Sequence, residues 1–440
     1  MLRVAVIGTG YVGLTTAVCL ASKGHHVTCV DIDKTKIAKI KSGEPMIHEE
    51  GLEPLLKRGL EESLLDATSN LEDALPKADI SFICVGTPSL EDGSIDTSYI
   101  YSASKQIGSA LVQRDGYHVV VVKSTVVPGT TDDIVVPNLR ASGKKLGAEV
   151  GVCTNPEFLR EGSSVQDFLN PANSGIVIGE LDTRSGDLMV NLYRDFDAPI
   201  LRTGIREAEM IKYARNAYLA KDISFANELA NVCEVLELDY LRVKQGMELD
   251  SRIGEGRFLD AGLGYGGSCF KKDIRGLMSI ASKYGINMKL LRAVEEVNQG
   301  QPLRVIQLAK KFIGALQGKK ISVLGLAFKP GTDDVRESRG IAVARAFLKE
   351  GSKVVGYDPL AMKNANLILD SIEYAKTIEA ALEGSDLCVI ATELEEFRNW
   401  ELYDGIPIID GRRVLPLDNI PQGVRLASIG FGKRPLPSSG

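Results

Sequence analysis

The chain opens with a strand, three glycines, a helix and a second strand that ends in an acid, an order that leaves few folds open. Arg3-Val-Ala-Val-Ile7 runs straight into Gly8-Thr-Gly10-Tyr-Val-Gly13, a helical pattern continues to Lys23, and Val27 to Asp31 closes the unit. Gly8 permits a tight turn and Gly10 lets backbone approach a pyrophosphate. Gly13 lets the helix pack closely, and the helix N-terminus faces the negative charge. Asp31, 18 residues after Gly13, is placed to accept from a ribose 2′-hydroxyl and to repel a 2′-phosphate. The expected cofactor is NAD, with Tyr11 and Val12 completing the loop that holds it.

Short Val- and Ile-rich runs recur at Ile80 to Val85, Val119 to Lys123, Val150 to Asn155 and Ile176 to Gly179, alternating with helical patterns. Buried parallel strands read this way. From Glu207 to about Leu236 a nearly breaker-free segment places Met210, Ile211, Tyr213, Ala214, Ala217 and Tyr218 at helical spacing, which predicts one long connecting helix. From Lys319 to about Leu426 the strand and helix alternation resumes. Ile321-Ser-Val-Leu-Gly325 and Val354-Val-Gly-Tyr-Asp-Pro359 echo the first two strands, with about ten extra residues between them and no glycine fingerprint, so a different ligand is expected there. At 440 residues the chain exceeds one core. The expected fold is α/β, two Rossmann-like doubly wound domains joined by a long central helix, with domains at 1–199, 200–300 and 315–430.

Composition removes several function classes. A net charge of −6 gives no electrostatic footprint for nucleic acid. Seven cysteines lie far apart, odd in number and without CxxC or HxxxH spacing, so neither a disulfide framework nor a metal site is expected. There is no secretory h-region and no apolar run of bilayer length, which predicts a cytoplasmic protein with no membrane partner.

The chemistry centres on Gly264-Tyr-Gly-Gly-Ser-Cys-Phe-Lys-Lys-Asp273. It sets a thiol in a glycine-lined turn, with Gly266 among the glycines and two ammonium groups and a carboxylate beside it. Nearby Lys favours the thiolate, and glycines let a carbon approach the sulfur, so Cys269 is the candidate nucleophile. Lys212 and Asn216, four apart on the connecting helix, could stabilise an oxyanion or could be a solvated pair. Asn155-Pro-Glu157-Phe-Leu-Arg-Glu161 brings two carboxylates fit to orient water or a sugar hydroxyl, though alone they would read as surface acids. Val85-Gly-Thr87-Pro88 and Lys123-Ser-Thr125 end strands where open α/β sheets bind ligands; either Thr could instead cap a helix. Lys329, Arg412 and Arg413 suit a diphosphate or ordinary surface ion pairs.

Together these motifs, with Glu209 to Asn216, Ser251-Arg-Ile-Gly254 and Ala327 to Ser338, resemble the nucleotide-sugar dehydrogenases over nearly the whole chain. The resemblance implies an NAD domain, a central helix mediating a homodimer, and a C-terminal domain that holds the nucleotide. It implies that a sugar C6 alcohol is oxidised twice, using two NAD and one water, through a thiohemiacetal and a thioester on Cys269. Lys212 and Asn216 would stabilise oxyanions, Asp273 would assist proton transfer, and Thr125, Glu157 and Glu161 would position water and sugar. Glu161 and Thr125 also fall on the cofactor side, with Thr87, Lys272 and Arg336. Arg252, Phe258, Gly266, Lys329 and Arg412 or Arg413 match substrate-side positions, and an Arg near the Ser251-Arg252 loop can come from the partner subunit.

Three departures stand out. Lys271 replaces a common Pro, Glu255-Gly-Arg257 adds a residue between Gly254 and Phe258 so that Arg252 and Arg257 compete for the ligand, and Pro171-Ala-Asn-Ser174 lacks an Arg. The substrate loop looks like the UDP-glucose form, with GDP-mannose as the alternative. Ser268 stands where UDP-N-acetylmannosamine enzymes carry His. A single-oxidation β-hydroxyacid dehydrogenase would leave Cys269 and the C-terminal unit without a role.

Overall fold

The computed structural model describes residues 1–112, 114–254, 258–417 and 420–432. Arg257, one of the two Arg that compete for the ligand, lies outside them. Two compact units emerge, one of residues 1–215 with 275–284 and one of residues 216–274 with 285–440.

The first unit is built on β1 (Arg3–Ile7), β2 (His26–Val30), β3 (Leu65–Thr68), β4 (Ile80–Ile83), β5 (His118–Val122), β6 (Val150–Thr154), β7 (Ile176–Glu180) and β8 (Ile200–Thr203). The sheet order is β3-β2-β1-β4-β5-β6-β7-β8. Alternate side chains feed two cores: Val4, Val6, Val119 and Val121 pack with Leu14 and Val18 of the first helix (Tyr11–Ser22), while Ala5, Val120 and Val122 pack with Ile107 and Leu139 on the opposite face. Burial on both faces explains why β4, β5 and β6 are buried at every position and read as largely apolar runs without alternation.

Two features depart from the sequence expectation. β3 and β8 were not anticipated; both are four-residue edge strands with exposed positions, too short and mixed for a periodic signal. β7 is not parallel to β6. Thr154 pairs with Gly179 and Cys153 with Glu180 in antiparallel register, and β8 follows β7 in parallel. The chain leaving β6 therefore re-enters the sheet without crossing back to its amino end, so the segment after Asn155 stays at the carboxyl end.

The second unit carries β9 (Lys320–Leu324), β10 (Lys353–Tyr357), β11 (Glu373–Tyr374), β12 (Leu387–Ile390), β13 (Ile408–Asp410) and β14 (Leu426–Ser428), all parallel in the order β11-β10-β9-β12-β13-β14. In the chain, the 31-residue helix Ile205–Val235 lies between the two sheets. Two of the three fingerprint glycines persist in the second unit, hidden by the insert. A Cβ on Gly13 would stand 1.8 Å from the Gly8 carbonyl oxygen, and one on Gly340 would stand 2.1 Å from that of Gly325; Gly8 and Gly325 have φ of +94° and +96°. Ala327 takes the place of the middle glycine. Asp358 ends β10 as Asp31 ends β2, but it accepts from four backbone N–H groups, those of Leu326, Ala327, Leu360 and Ala361.

Candidate active site

The carboxyl ends of the first unit's strands gather the cofactor-side residues. Gly8 follows β1 and Asp31 follows β2, while Gly10 caps the first helix with extended backbone and has open space where a Cβ would stand. Asp31 is 9% exposed; its carboxylate accepts from Thr9 N and Oγ1 at 2.9 and 2.7 Å and from Asp33 N at 3.0 Å, with Lys36 at 3.6 Å. Burial alone would raise its pKa, but these donors and the ammonium outweigh it and keep the carboxylate ionised. A glycine-lined helix N-terminus with an anionic residue at the next strand end fits NAD. Thr87 and Thr125 do meet: the Thr87 hydroxyl donates to the Thr125 carbonyl at 2.8 Å.

Glycine chemistry separates two jobs here. Gly13→Ala is expected to unfold or strongly destabilise the first unit, because its Cβ has backbone oxygen within contact. Gly10→Ala meets nothing within 4 Å and is expected to keep the wild-type melting temperature while raising the KM for NAD by about tenfold or more. Thermal melts and NAD titrations of the two variants check this; a Gly10→Ala enzyme with unchanged KM would remove the cofactor from this turn.

A second cluster in the same unit surrounds Glu157. Its carboxylate lies 2.8 Å from Lys212 Nζ, with both side chains under one-tenth exposed, and accepts from Leu159 N at 2.7 Å. Burial would raise its pKa, yet the neighbouring Lys212 ammonium prevails and holds it below the ordinary value. Arg215 stacks its guanidinium 3.7 Å from the Phe158 ring centre and donates to the Ser174 carbonyl at 2.8 Å. It thus brings a guanidinium to the turn whose missing Arg was noted above. Glu161 is partly buried, and Glu49 holds the next turn by accepting from Gly162 N and Ser164 N. Glu209, pushed up to about 7 chiefly by burial, accepts from Gly129 N and Thr131 N and ties the long helix to the loop after Thr125.

The second unit holds the thiol. Cys269 is the one exposed cysteine; it precedes the helix Phe270–Lys283, and its carbonyl accepts from Asp273 N at 2.9 Å. A thiol at a helix N-terminus is biased toward thiolate by the backbone dipoles. The two adjacent ammonium groups contribute less charge than expected, because Lys271 pairs with Glu337 at 2.7 Å and Lys272 with Asp273 at 2.6 Å. Asp273 is 1% exposed and also accepts from Asn216 Nδ2 at 2.6 Å. Lys212 and Asn216, one turn apart along the helix, thus each engage a carboxylate.

Side-chain amides hold the glycine-rich turn before the thiol. Asn227 accepts from Gly262 N at 2.7 Å and Gln301 donates to Gly262 O at 2.8 Å; Asn298 accepts from Tyr265 N and donates to Tyr265 O at 2.7 and 3.1 Å. Gly266 and Gly267 have no room for a Cβ, which would press on the Glu337 carbonyl and the Phe328 ring. Phe270 stands edge-on to Phe258 and Tyr265.

The remaining cations diverge. Arg412 donates to the Gly264 and Ala391 carbonyls, joining the thiol's turn, whereas Arg413 pairs with Asp239 at 2.8 Å. Arg336 is held by Asp334, Lys329 lies 5.6 Å from the Phe328 ring centre, and the highly exposed Arg252 pairs with Asp250. The sequence reading gave no role to Lys123, Glu49, Asn227, Asn298 or Gln301. Among the described residues, no cluster of His, Cys, Asp and Glu could hold a metal, and no helix is long and apolar enough to cross a membrane.

Three sequence models of one family match in tandem. The NAD binding domain of the UDP-glucose/GDP-mannose dehydrogenase family matches residues 2–197, its central domain 206–300, and its UDP binding domain 322–417. UDP-glucose 6-dehydrogenase AglM of Haloferax volcanii is 43% identical over 424 residues, covering 94% of this chain and 97% of the relative. GDP-mannose 6-dehydrogenase of Pseudomonas aeruginosa is 40% identical over 359 residues, 81% of each. Among solved structures, a UDP-glucose dehydrogenase from Pyrobaculum islandicum aligns over 98% of both chains with a TM-score of 0.91 and 39% identity.

Proposed function

The chain belongs to the UDP-glucose/GDP-mannose dehydrogenase family and is an NAD-dependent nucleotide-sugar 6-dehydrogenase, and from that premise we propose that it oxidises UDP-glucose twice at C6, to UDP-glucuronate, through a covalent intermediate on Cys269. The observation that carries the reading is the exposed thiol at a helix N-terminus, in a turn fixed by hydrogen bonds, with the buried carboxylate of Asp273 one turn further on.

Bound NAD, held by Gly8, Gly10, Tyr11, Val12, Gly13 and Asp31 with Thr87 and Thr125 nearby, supplies the hydride acceptor for each oxidation. Lys212 and Asn216 stabilise the oxygen of C6 as it gains charge. The Cys269 thiolate adds to the aldehyde carbon, so that a C–S bond forms and the oxygen takes a proton, giving a thiohemiacetal. Oxidation of that adduct gives the thioester. Water, oriented by Glu157 and Glu161 and deprotonated toward Asp273, then attacks the thioester carbon; the C–S bond breaks and sulfur leaves as thiolate. Covalent capture keeps a reactive aldehyde from escaping. Lys272 and Arg336 serve the cofactor side; Arg252, Phe258, Gly266, Lys329 and Arg412 serve the substrate side. Arg413, paired with Asp239, is the alternative to Arg412 on the substrate side.

The reading includes a homodimer on the long helix, supported by Tyr218, Phe225 and Val232, seven residues apart and 61%, 46% and 53% exposed. It also includes a cytoplasmic location, supported by seven cysteines that form no disulfide among the described residues.

NADH formed per nucleotide sugar consumed, measured with UDP-glucose and GDP-mannose in parallel, tests the reaction. A ratio near two with UDP-glucose is expected. Preference for GDP-mannose would change the substrate, and a ratio near one would replace the double oxidation by a simple alcohol dehydrogenation.

A further inference from the structure

One buried cation has no part in the reaction just described. Lys123 follows β5 and is 3% exposed. Its ammonium lies 5.7 and 5.5 Å from the ring centres of Phe82 and Phe168 and donates to Asn155 Oδ1 at 2.9 Å, with the Asn155 carbonyl at 3.4 Å. An ammonium taken out of water is costly, and a Met would fill the same apolar slot.

The acceptor shows what the charge does. Asn155 Oδ1 also accepts from the Tyr193 hydroxyl at 2.6 Å, Asn155 Nδ2 donates to Val177 O at 2.8 Å, and Asn155 N donates to Val122 O at 2.8 Å. Asn155 thus joins β5 through its backbone N–H, and β7 and Tyr193, at the end of the helix Thr183–Leu192, through its side-chain amide, whose orientation is fixed by the two donors on its oxygen. Two residues later comes Glu157, and four after that Glu161.

We propose that Lys123 is a positioning residue of this dehydrogenase: its enclosed ammonium orients Asn155 and, through it, the turn that presents Glu157 and Glu161 to the reacting sugar. The proposal rests on the roles given to those acids above. It needs no contact between Lys123 and substrate. The charge has a second effect, since it adds to the Lys212 ammonium in stabilising the Glu157 carboxylate. The titratable groups around Lys123 are Cys84 at the end of β4, Glu157, Lys212, Tyr193, and Asp167, which lines the same cavity and is bonded to Arg160. Burial pushes the Lys123 pKa down to about 8, so the ammonium is retained at neutral pH and lost as pH rises through that value.

The test compares Lys123→Met, Lys123→Gln and Asn155→Ala with wild type, using whichever nucleotide sugar the stoichiometry experiment identifies, so that a wrong sugar above changes the assay's substrate and not its outcome. Both Lys123 variants are expected to lose about tenfold or more in kcat with the KM for NAD unchanged. Their acid limb of kcat/KM is expected to move to higher pH, because Glu157 loses a stabilising charge and protonates sooner. Lys123→Gln keeps a donor to Asn155 and recovers part of kcat while keeping the displaced limb. Asn155→Ala lowers kcat and leaves the limb in place. Folded Lys123 variants with wild-type kcat and an unmoved limb overturn the proposal, as does a loss that follows only the fall in melting temperature. If neither Lys123 variant folds, Asn155→Ala decides: wild-type kcat overturns the proposal, and a lowered kcat at an unchanged melting temperature supports it.

Discussion

Cys269→Ser is expected to fold as wild type does and to lose steady-state uronate formation by about 10³-fold or more, equivalent to roughly 4 kcal/mol of transition-state stabilisation. The side chain is exposed and the replacement nearly isosteric, so stability is not at issue. What changes is nucleophilicity. A helix N-terminus can bring a thiol into its ionised range near neutral pH, whereas the same dipoles leave a serine hydroxyl protonated. In the proposed mechanism the first hydride transfer does not use sulfur. A rapid release of about one NADH per active site followed by near-arrest is therefore the expected trace in a stopped-flow record. Unimpaired turnover in this variant would sink the covalent mechanism while leaving NAD binding intact.

Lys212→Ala is expected to damage two properties at once. On the proposed mechanism it removes a preorganised donor for the oxyanion, with a fall in kcat of about 10²- to 10³-fold. It also leaves Glu157 buried without its cation, at a cost of about 3–5 kcal/mol in stability. The two losses separate in the double variant Lys212→Met with Glu157→Leu, which restores much of the stability and none of the activity. The pH dependence carries a sign. Lys212 depresses the folded-state pKa of Glu157, so the pair's contribution is complete above the ordinary carboxylate pKa and is lost as pH falls through the depressed one. Glu157→Gln should flatten that acidic limb of the melting temperature. A wild-type limb in Glu157→Gln would mean that other carboxylates set it.

How much of this could be read in advance depends on how local the determinants are. The turn from Gly8 to Gly13 was legible because strand, glycines and helix are consecutive, and Gly13 answers to the carbonyl of Gly8 within the same motif. Its counterpart was missed because the insert separates Gly325 from Gly340, although both make the same close approaches. Cys269 and Asp273 were legible as a thiol and an acid in a glycine-lined turn, and Lys212 and Asn216 as a pair at helical spacing, but not the carboxylate each of the latter pair engages. The Lys123–Asn155 bond joins residues 32 apart, and Asn298 grips Tyr265 across 33. No period reports such pairs. The direction of β7 was hidden for a related reason: an apolar run gives burial and not orientation.

Asp358 sets the second glycine turn apart from the first. It accepts from Leu326 N and Ala327 N at the second glycine turn, where Asp31 accepts from Thr9 N at the first. On the proposed double oxidation, with a single NAD site at the Gly8 turn, that turn serves both oxidations in succession. In that proposed reaction spent cofactor leaves and fresh cofactor arrives while the half-oxidised sugar stays on the enzyme. The pace of the whole cycle then depends on how long the tethered sugar outlasts that exchange, and a sugar that fits well but dwells briefly would be released half-finished.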